Sequence, residues 1–271
     1  MQKEPIKNDY YSRELIESLH PQAYIIPTER IGSLPKNKAG KTIETVGNSG
    51  EYYAQLKKDG YSYSFEKTED YEYLFSRSVS RKTGLPSEKI ANVPHIQEAL
   101  KVLPSGTILV GEIYYPNGTS KNVTEIMGCL PEKAIIRQKD NPIHFYIHDI
   151  LAYDEQSLIS VTSYARYEIL VDVFNKYNLS DNHFIELAEA VIDTDLSQFA
   201  EEALANGEEG IVMKKINGVY APGKRPAWQT IKVKKSDSVD VICMGFDDAT
   251  KEYDGKEEAK YWVMEQNMGD Q

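Results

Sequence analysis

Four short segments carry side chains suited to chemistry on an anionic centre: Gln55-Leu56-Lys57-Lys58-Asp59-Gly60, Gly111-Glu112, Glu209-Gly210-Ile211-Val212-Met213-Lys214 and Lys232-Val233-Lys234. A lysine amine is a nucleophile only when neutral, and an ordinary pKa of about 10.4 leaves almost none of it neutral near pH 7. A site that uses Lys57 must therefore favour the neutral amine, for instance through nearby cations. Carboxylates such as Asp59 and Glu209 suit Mg²⁺, which takes hard oxygen ligands and keeps several waters. Lys232 and Lys234, two apart, project from one face of a strand, where they can stabilise charge developing on an oxyanion. Each feature also has a plainer reading. Asp59-Gly60 is a strong hairpin-turn signal, a lone glutamate at a strand end is commonly a solvated charge, and basic residues on a strand edge discourage aggregation.

These residues need strands to hold them. Short runs rich in Tyr, Ile and Val predict strands over 52–57, 61–66, 73–79, 107–115, 144–151, 210–214, 230–235 and 238–246. On the first of these, Gln55, Lys57 and Asp59 share one face and Leu56 and Lys58 the other, which sends Leu56 to a core and Lys57 to a pocket. Helical spacing joins Tyr164, Tyr167, Val171 and Phe174, with Thr162 or Ser163 as N-cap. Further helices are expected over 196–205, entered through Asp195 and stopped near Asn206-Gly207, and over 95–102. Frequent Pro and Gly in the first 50 residues predict loops and short strands there. Strands in runs with helices interspersed irregularly indicate an α+β fold with antiparallel sheets.

A chain of 271 residues, 41% hydrophobic and 27% charged, can bury one large core or two modest ones. It is expected to be soluble and cytoplasmic, since no window approaches the roughly 20 apolar residues of a membrane span and the opening segment is too polar for a secretory signal. Cys129 and Cys243 lie too far apart in sequence for a CxxC redox pair, a cysteine-rich zinc site or a disulfide scaffold. The net charge of -11 hides an asymmetry: residues 211–236 hold seven basic and no acidic side chains, whereas 237–271 hold ten acids against three lysines. Charge is therefore placed, and a polyanionic partner is compatible with the negative sum.

In their order the four segments resemble the motif series of covalent nucleotidyltransferases: ATP-dependent DNA ligases first, with RNA ligases and mRNA capping enzymes as related branches. The resemblance runs from Lys57 to Lys234, about two thirds of the chain. It implies an adenylation domain over 1–236 and the beginning of an OB-fold domain over 237–271. It also implies an ATP-dependent DNA ligase in which Lys57 takes AMP from ATP, AMP moves to the 5′-phosphate of a nick, and the 3′-hydroxyl displaces it. ATP and Mg²⁺ are the implied cofactors, nicked double-stranded DNA is the implied partner, and a monomer is expected. By the same resemblance Gln55 contacts adenine, Glu112 holds a ribose hydroxyl, Asp59 and Glu209 serve the metal, and Lys232 and Lys234 flank the α-phosphate. Arg77, in Phe75-Ser76-Arg77-Ser78, matches the arginine that grips the nick 5′-phosphate, although a plain surface arginine reads the same way. Arg225 and Trp228 match the Arg and Trp that often precede the lysine pair, and Arg225 is assigned to the nucleic acid.

The chain departs from the pattern in three places. His148 stands where ligases usually carry the phenylalanine that stacks on adenine, so it is either a stacking platform or a satisfied core histidine. Ser62 replaces a usual arginine. Residues 238–246 resemble the first OB strand, yet about 25 residues follow, too few for a five-stranded barrel. A shortened ligase that binds ATP but adenylates slowly is the expectation. The alternatives are an RNA ligase or capping-type guanylyltransferase within the superfamily and, outside it, a noncatalytic nucleotide- or nucleic-acid-binding module.

Overall fold

The segment that carries Lys57 is where the chain passes from one β-sheet to another. The structure is a computed structural model that describes residues 29–30, 43–79, 86–221, 226, 228–234, 241–247 and 261–266. It falls into two units, Met1–Lys234 and Lys235–Gln271.

In the first unit, β1 (Glu29–Arg30), β2 (Tyr52–Leu56), β10 (Gly210–Lys215) and β11 (Thr230–Lys234) form a four-stranded sheet in the order β1-β11-β10-β2. A seven-stranded sheet contains β3 (Gly60–Lys67), β4 (Glu72–Val79), β5 (Pro86–Glu88), β6 (Thr107–Tyr114), β7 (His144–Tyr153), β8 (Gln156–Ser157) and β9 (Ile185–Leu187). Its path runs β5-β4-β3-β6-β7-β8, with β9 parallel to β7. Antiparallel pairing dominates both sheets, as the α+β expectation required.

The hairpin reading of Asp59-Gly60 is corrected here. β2 pairs with β10 and β3 pairs with β4 and β6, so the Lys57-Lys58-Asp59 link crosses between sheets. Gly60 permits this crossing. A Cβ there would stand 2.2 Å from the Ile113 carbonyl oxygen, closer than any side chain tolerates.

Each sheet turns one face to a large core, and the strands between are buried on both faces over much of their length. Ala54, Met213 and Ile231, aligned across β2, β10 and β11, pack with Leu196, Ala200 and Ala203 of α6 (Leu196–Ala205) and with Val46 of α1 (Ile43–Gly47). Asp195 caps α6, its carboxylate accepting from the backbone N–H groups of Ser197 and Gln198. On the larger sheet Tyr63, Phe65, Leu109, Ile113, Phe145 and Ile147 pack against α2 (Pro94–Leu100), α3 (Ser120–Met127), α4 (Pro131–Arg137) and α5 (Ser163–Tyr177).

On α5 the buried stripe is Ser163, Arg166, Leu170, Val173 and Phe174, rotated by about one residue from the predicted Tyr164, Tyr167 and Val171 face. An arginine in the stripe broke the apolar pattern. Tyr164 and Tyr167 instead close over Tyr53, with ring centroids 5.3 and 5.9 Å away. Helices α3 and α4 were not predicted. Val123, Ile126 and Met127 bury one face of α3 at helical spacing, and its capping box uses Thr119 and Asn122 in place of the commoner glutamate.

The second unit contributes an antiparallel pair, β12 (Val241–Asp247) and β13 (Tyr261–Gln266). Among the described residues, no helix is long and apolar enough to cross a membrane. Most of the first 50 residues, and Arg225, lie outside the described residues.

Candidate active site

The faces of the two sheets opposite their large cores meet across a cavity of about 550 Å³. On the four-stranded sheet a row of paired residues, Gln55, Val212 and Lys232, lines it. On the larger sheet the facing row is Ser62, Glu112 and Tyr146. Lys57, at the crossing between the sheets, reaches the same space, and its backbone N–H is held by the Gly210 carbonyl at 2.9 Å. Leu56 turns back to the core of the smaller sheet while also touching the cavity edge.

The side chain of Lys57 pairs with one oxygen of Glu209, and Lys234 donates to the other at 3.2 Å. Glu209 begins the Glu209-Gly210 step into β10. Gly210 takes a left-handed φ of 139°, and a Cβ there would stand 2.0 Å from the Val233 carbonyl oxygen. Only glycine lets β11 approach closely enough to bring Lys234 to the carboxylate. Lys232 is partly buried, and burial followed by the charge of Lys57 lowers its pKa. Among the described residues, Lys57, Lys234 and Glu209 thus form one ion cluster beside the cavity that Lys57 and Lys232 line, a composition that suits a polyphosphate.

Glu112 lies on the cavity wall, where burial pushes its carboxyl up to about 7 against the pull of Lys57 and Lys232. The folded protein therefore holds a proton that the unfolded chain releases between its ordinary value of 4.5 and about 7, and stability falls as pH rises through that window. Glu112→Gln should thus raise the melting temperature relative to wild type at pH 8 by more than at pH 5. An equal difference at both pH values would show that the carboxyl is not held protonated.

Gln55 is buried at the inner end, and its amide Nε2 donates to the Ala188 carbonyl at 2.8 Å. That bond fixes the amide orientation and leaves Oε1 buried without a partner among the described residues. An orphaned buried acceptor is costly unless a ligand donor meets it.

His148 lines the cavity from a β-bulge. Gly111 pairs with Ile147 and Val110 with Asp149, so His148 is the extra residue on β7. The core-facing positions accordingly run Phe145, Ile147 and then Ile150, and both His148 and Asp149 turn toward the cavity side. Behind His148, Asp149 is buried in a bidentate pair with Arg166 at 2.8 and 2.9 Å, which holds its carboxyl below the usual range despite burial. Lys214 from β10 donates to the His148 carbonyl at 2.8 Å. Burial followed by the charge of Lys214 pushes the His148 ring down to about 3, so it is neutral near pH 7. Sequence reasoning did not single out Arg166, Asp149 or Lys214 for these roles. The lone arginine on the apolar stripe of α5 is the one signal that pointed to such a pair.

Arg77 is exposed on β4 and lines the cavity mouth. Asp59 is turned to α3, its carboxylate accepting from the Ser120 N–H at 3.1 Å, and it is not among the residues lining the cavity. Lys58, expected on the face opposite Lys57, lines the same cavity, paired with Glu208 at 2.9 Å and set over the rings of Tyr114 and Tyr146. Trp228, before β11, has a left-handed φ of 64° and accepts a 2.6 Å hydrogen bond from the Tyr52 hydroxyl at its carbonyl.

Mg²⁺ is the metal implied by these motifs. Among the described residues, no three His, Cys, Asp or Glu side chains gather as a metal cage. That donor set fits a cation that arrives with phosphates and takes one or two carboxylates from the protein, here Glu209 first.

Residues 35–234 match the family described as ATP dependent DNA ligase domain. DNA ligase 2 of Methanosarcina mazei is 28% identical over 201 residues, which cover 72% of this chain and 34% of that relative. The chain spans about a third of the length of such curated relatives. Among solved structures, a mycobacterial DNA ligase D complexed with ATP and MES superposes with a TM-score of 0.52 at 20% identity, covering 72% of this chain and 58% of that one. A structure from work on Lig E DNA ligases gives 0.55 at 15% identity, with 80% and 78% covered. At these identities the structural likeness establishes the fold.

Proposed function

The chain belongs to the family of ATP-dependent DNA ligase domains, and on that premise we propose that it seals nicked DNA through an AMP covalently held on Lys57. The observation that carries this reading is Lys57 at the mouth of a cavity, with Lys232 on the cavity wall and Lys234 bound to the same carboxylate as Lys57. In the first step the Lys57 amine attacks the α-phosphorus of ATP. A P–N bond forms as the amine gives up a proton to solvent, the bond to pyrophosphate breaks, and Lys232 and Lys234 stabilise the charge passing to the phosphate oxygens. Glu209 must release Lys57 for this to occur. Mg²⁺, when bound, would neutralise phosphate charge, and Glu209, freed from Lys57, is the carboxylate best suited to hold it. AMP then passes to the 5′-phosphate of a nick, which Arg77 at the cavity mouth is suited to grip, and the 3′-hydroxyl displaces AMP.

Base choice is assigned to Gln55. Once its side chain opens to the ligand, Oε1, without a partner among the described residues, can accept from the amino group of adenine and opposes the 6-oxo group of guanine. The family description and the names of the relatives likewise favour ATP and DNA over the RNA ligase and guanylyltransferase readings. The test is intact mass after incubation with Mg²⁺ and either ATP or GTP, followed by sealing assays on nicked DNA and nicked RNA. An AMP adduct with ATP alone and sealing of DNA are expected. A GMP adduct, or a preference for RNA, would replace this reading with one of its superfamily rivals. ATP binding without any adduct would leave a noncatalytic nucleotide-binding module.

A further inference from the structure

His148 occupies a position where the family's usual phenylalanine offers a bound base only its face. The imidazole differs in having two edge nitrogens, and the surroundings treat them unequally. Nδ1 stands 3.3 Å from Lys214 Nζ, which also donates to the His148 carbonyl at 2.8 Å. A lysine ammonium has donors and no acceptor, so the nitrogen facing it must bring a lone pair. A neutral ring with its lone pair on Nδ1 carries its proton on Nε2. Nε2 has no hydrogen-bond partner among the described residues and belongs to a side chain that lines the cavity. The bulge at His148 and the reach of Lys214 from the opposite sheet are both needed for this arrangement.

We propose that Lys214 locks His148 in its Nε2–H tautomer, so that the ring presents a hydrogen-bond donor to a ring nitrogen of the bound purine. Lys214 is then a positioning residue that acts through His148, and His148 is a specificity residue that meets the purine by its edge, in place of the face a phenylalanine would offer. The contact with the purine rests on the reading of the cavity as the nucleotide site. The lock between the two side chains does not.

Long-range ¹H–¹⁵N correlation spectra of the nucleotide-free protein, with labelled histidines at pH 7, test the lock. The His148 signals, assigned by their loss in His148→Phe, should show the Nε2–H pattern in the unmutated chain and a mixture of tautomers in Lys214→Met. An Nδ1–H or imidazolium pattern in the unmutated chain overturns the proposal without relying on any variant. Binding is then measured in a Lys57→Ala background, which forms no adduct, using ATP and its 1-deaza, 3-deaza and 7-deaza analogues. One analogue should bind about 3- to 10-fold more weakly than ATP, the effect of one neutral hydrogen bond. That loss should vanish with His148→Phe. Lys214→Met should weaken ATP binding when His148 is present and have no effect in the His148→Phe background. Equal binding of all analogues, or an equal effect of Lys214→Met in both backgrounds, overturns the donor role. Failure of ATP itself to bind overturns the purine contact together with the nucleotide reading of the cavity, while the spectra still decide the lock.

Discussion

Lys57→Ala is expected to abolish the AMP-sized mass gain produced by ATP and Mg²⁺ while leaving the fold intact. The amine is the nucleophile in the proposed chemistry, and alanine supplies no group that can attack phosphorus. Structural damage should be small because Glu209 does not become an orphan: Lys234 still donates to its other oxygen at 3.2 Å. Lys57 and Glu209 also keep side-chain exposures of 13% and 23%, so neither is an ion sealed in a dry interior. Intact mass spectrometry paired with a thermal melt separates the two effects. An adduct that persists in Lys57→Ala would move the nucleophile to another amine. Loss of the adduct together with loss of the melting transition would assign Lys57 a structural role.

The largest stability effect is expected at a residue far from the nucleophile. Arg166→Met should destabilise the protein by about 3–5 kcal/mol, the range for breaking a buried ion pair from one side. The pair is well buried, with side-chain exposures of 3% for Arg166 and 6% for Asp149, and removing the guanidinium leaves a carboxylate inside the protein. Arg166 also donates to the Val161 carbonyl at 2.7 Å, so a hydrogen bond to the backbone is lost with it.

The pH dependence follows from the same contacts. Arg166 holds the Asp149 carboxyl below its ordinary value, so the pair contributes stability above the usual carboxylate range and loses it as pH falls through the lowered folded value. The penalty of Arg166→Met should therefore shrink toward acid pH. Asp149→Leu combined with Arg166→Met should recover part of the loss, since no unpaired carboxylate remains. Chemical denaturation of the single and double variants measures this. A single-variant loss under about 1 kcal/mol, the level of an exposed pair, would contradict the burial argument. Because Asp149 adjoins His148 in the bulge, milder variants of this pair should also disturb the cavity wall.

Much of the working surface was legible in the linear chain because its signals are local. Runs of Tyr, Ile and Val at period two marked the strands, and observed β2, β6, β10 and β11 lie within a residue of the expected limits. The ordered motifs singled out Lys57, Glu112, Glu209, Lys232 and Lys234, and the fold draws all five into one charged cluster. Strand alternation placed Leu56 in the core and Lys57 in the cavity, but beyond the end of β2 it failed: Lys58 lines the cavity and Asp59 turns to α3. The spacing of Val123, Ile126 and Met127 also held a local helix signal for α3, short enough at eight residues to pass unnoticed.

What tertiary structure decided was pairing and parity. A turn signal at Asp59-Gly60 says that the chain changes direction, and only the partners of β2 and β3 make it a crossing between sheets. Strand alternation places His148 on one face, but the extra residue that turns Asp149 to the same side depends on how β6 pairs. The face of α5 slipped for a related reason: Arg166 counts as solvent-facing by its type until Asp149, on another element, compensates its charge. Lys214 meets His148 across 66 residues of sequence. Period and residue type determine which elements form and what each side chain can do, whereas contacts between distant elements set its partner, its charge state and the direction it faces.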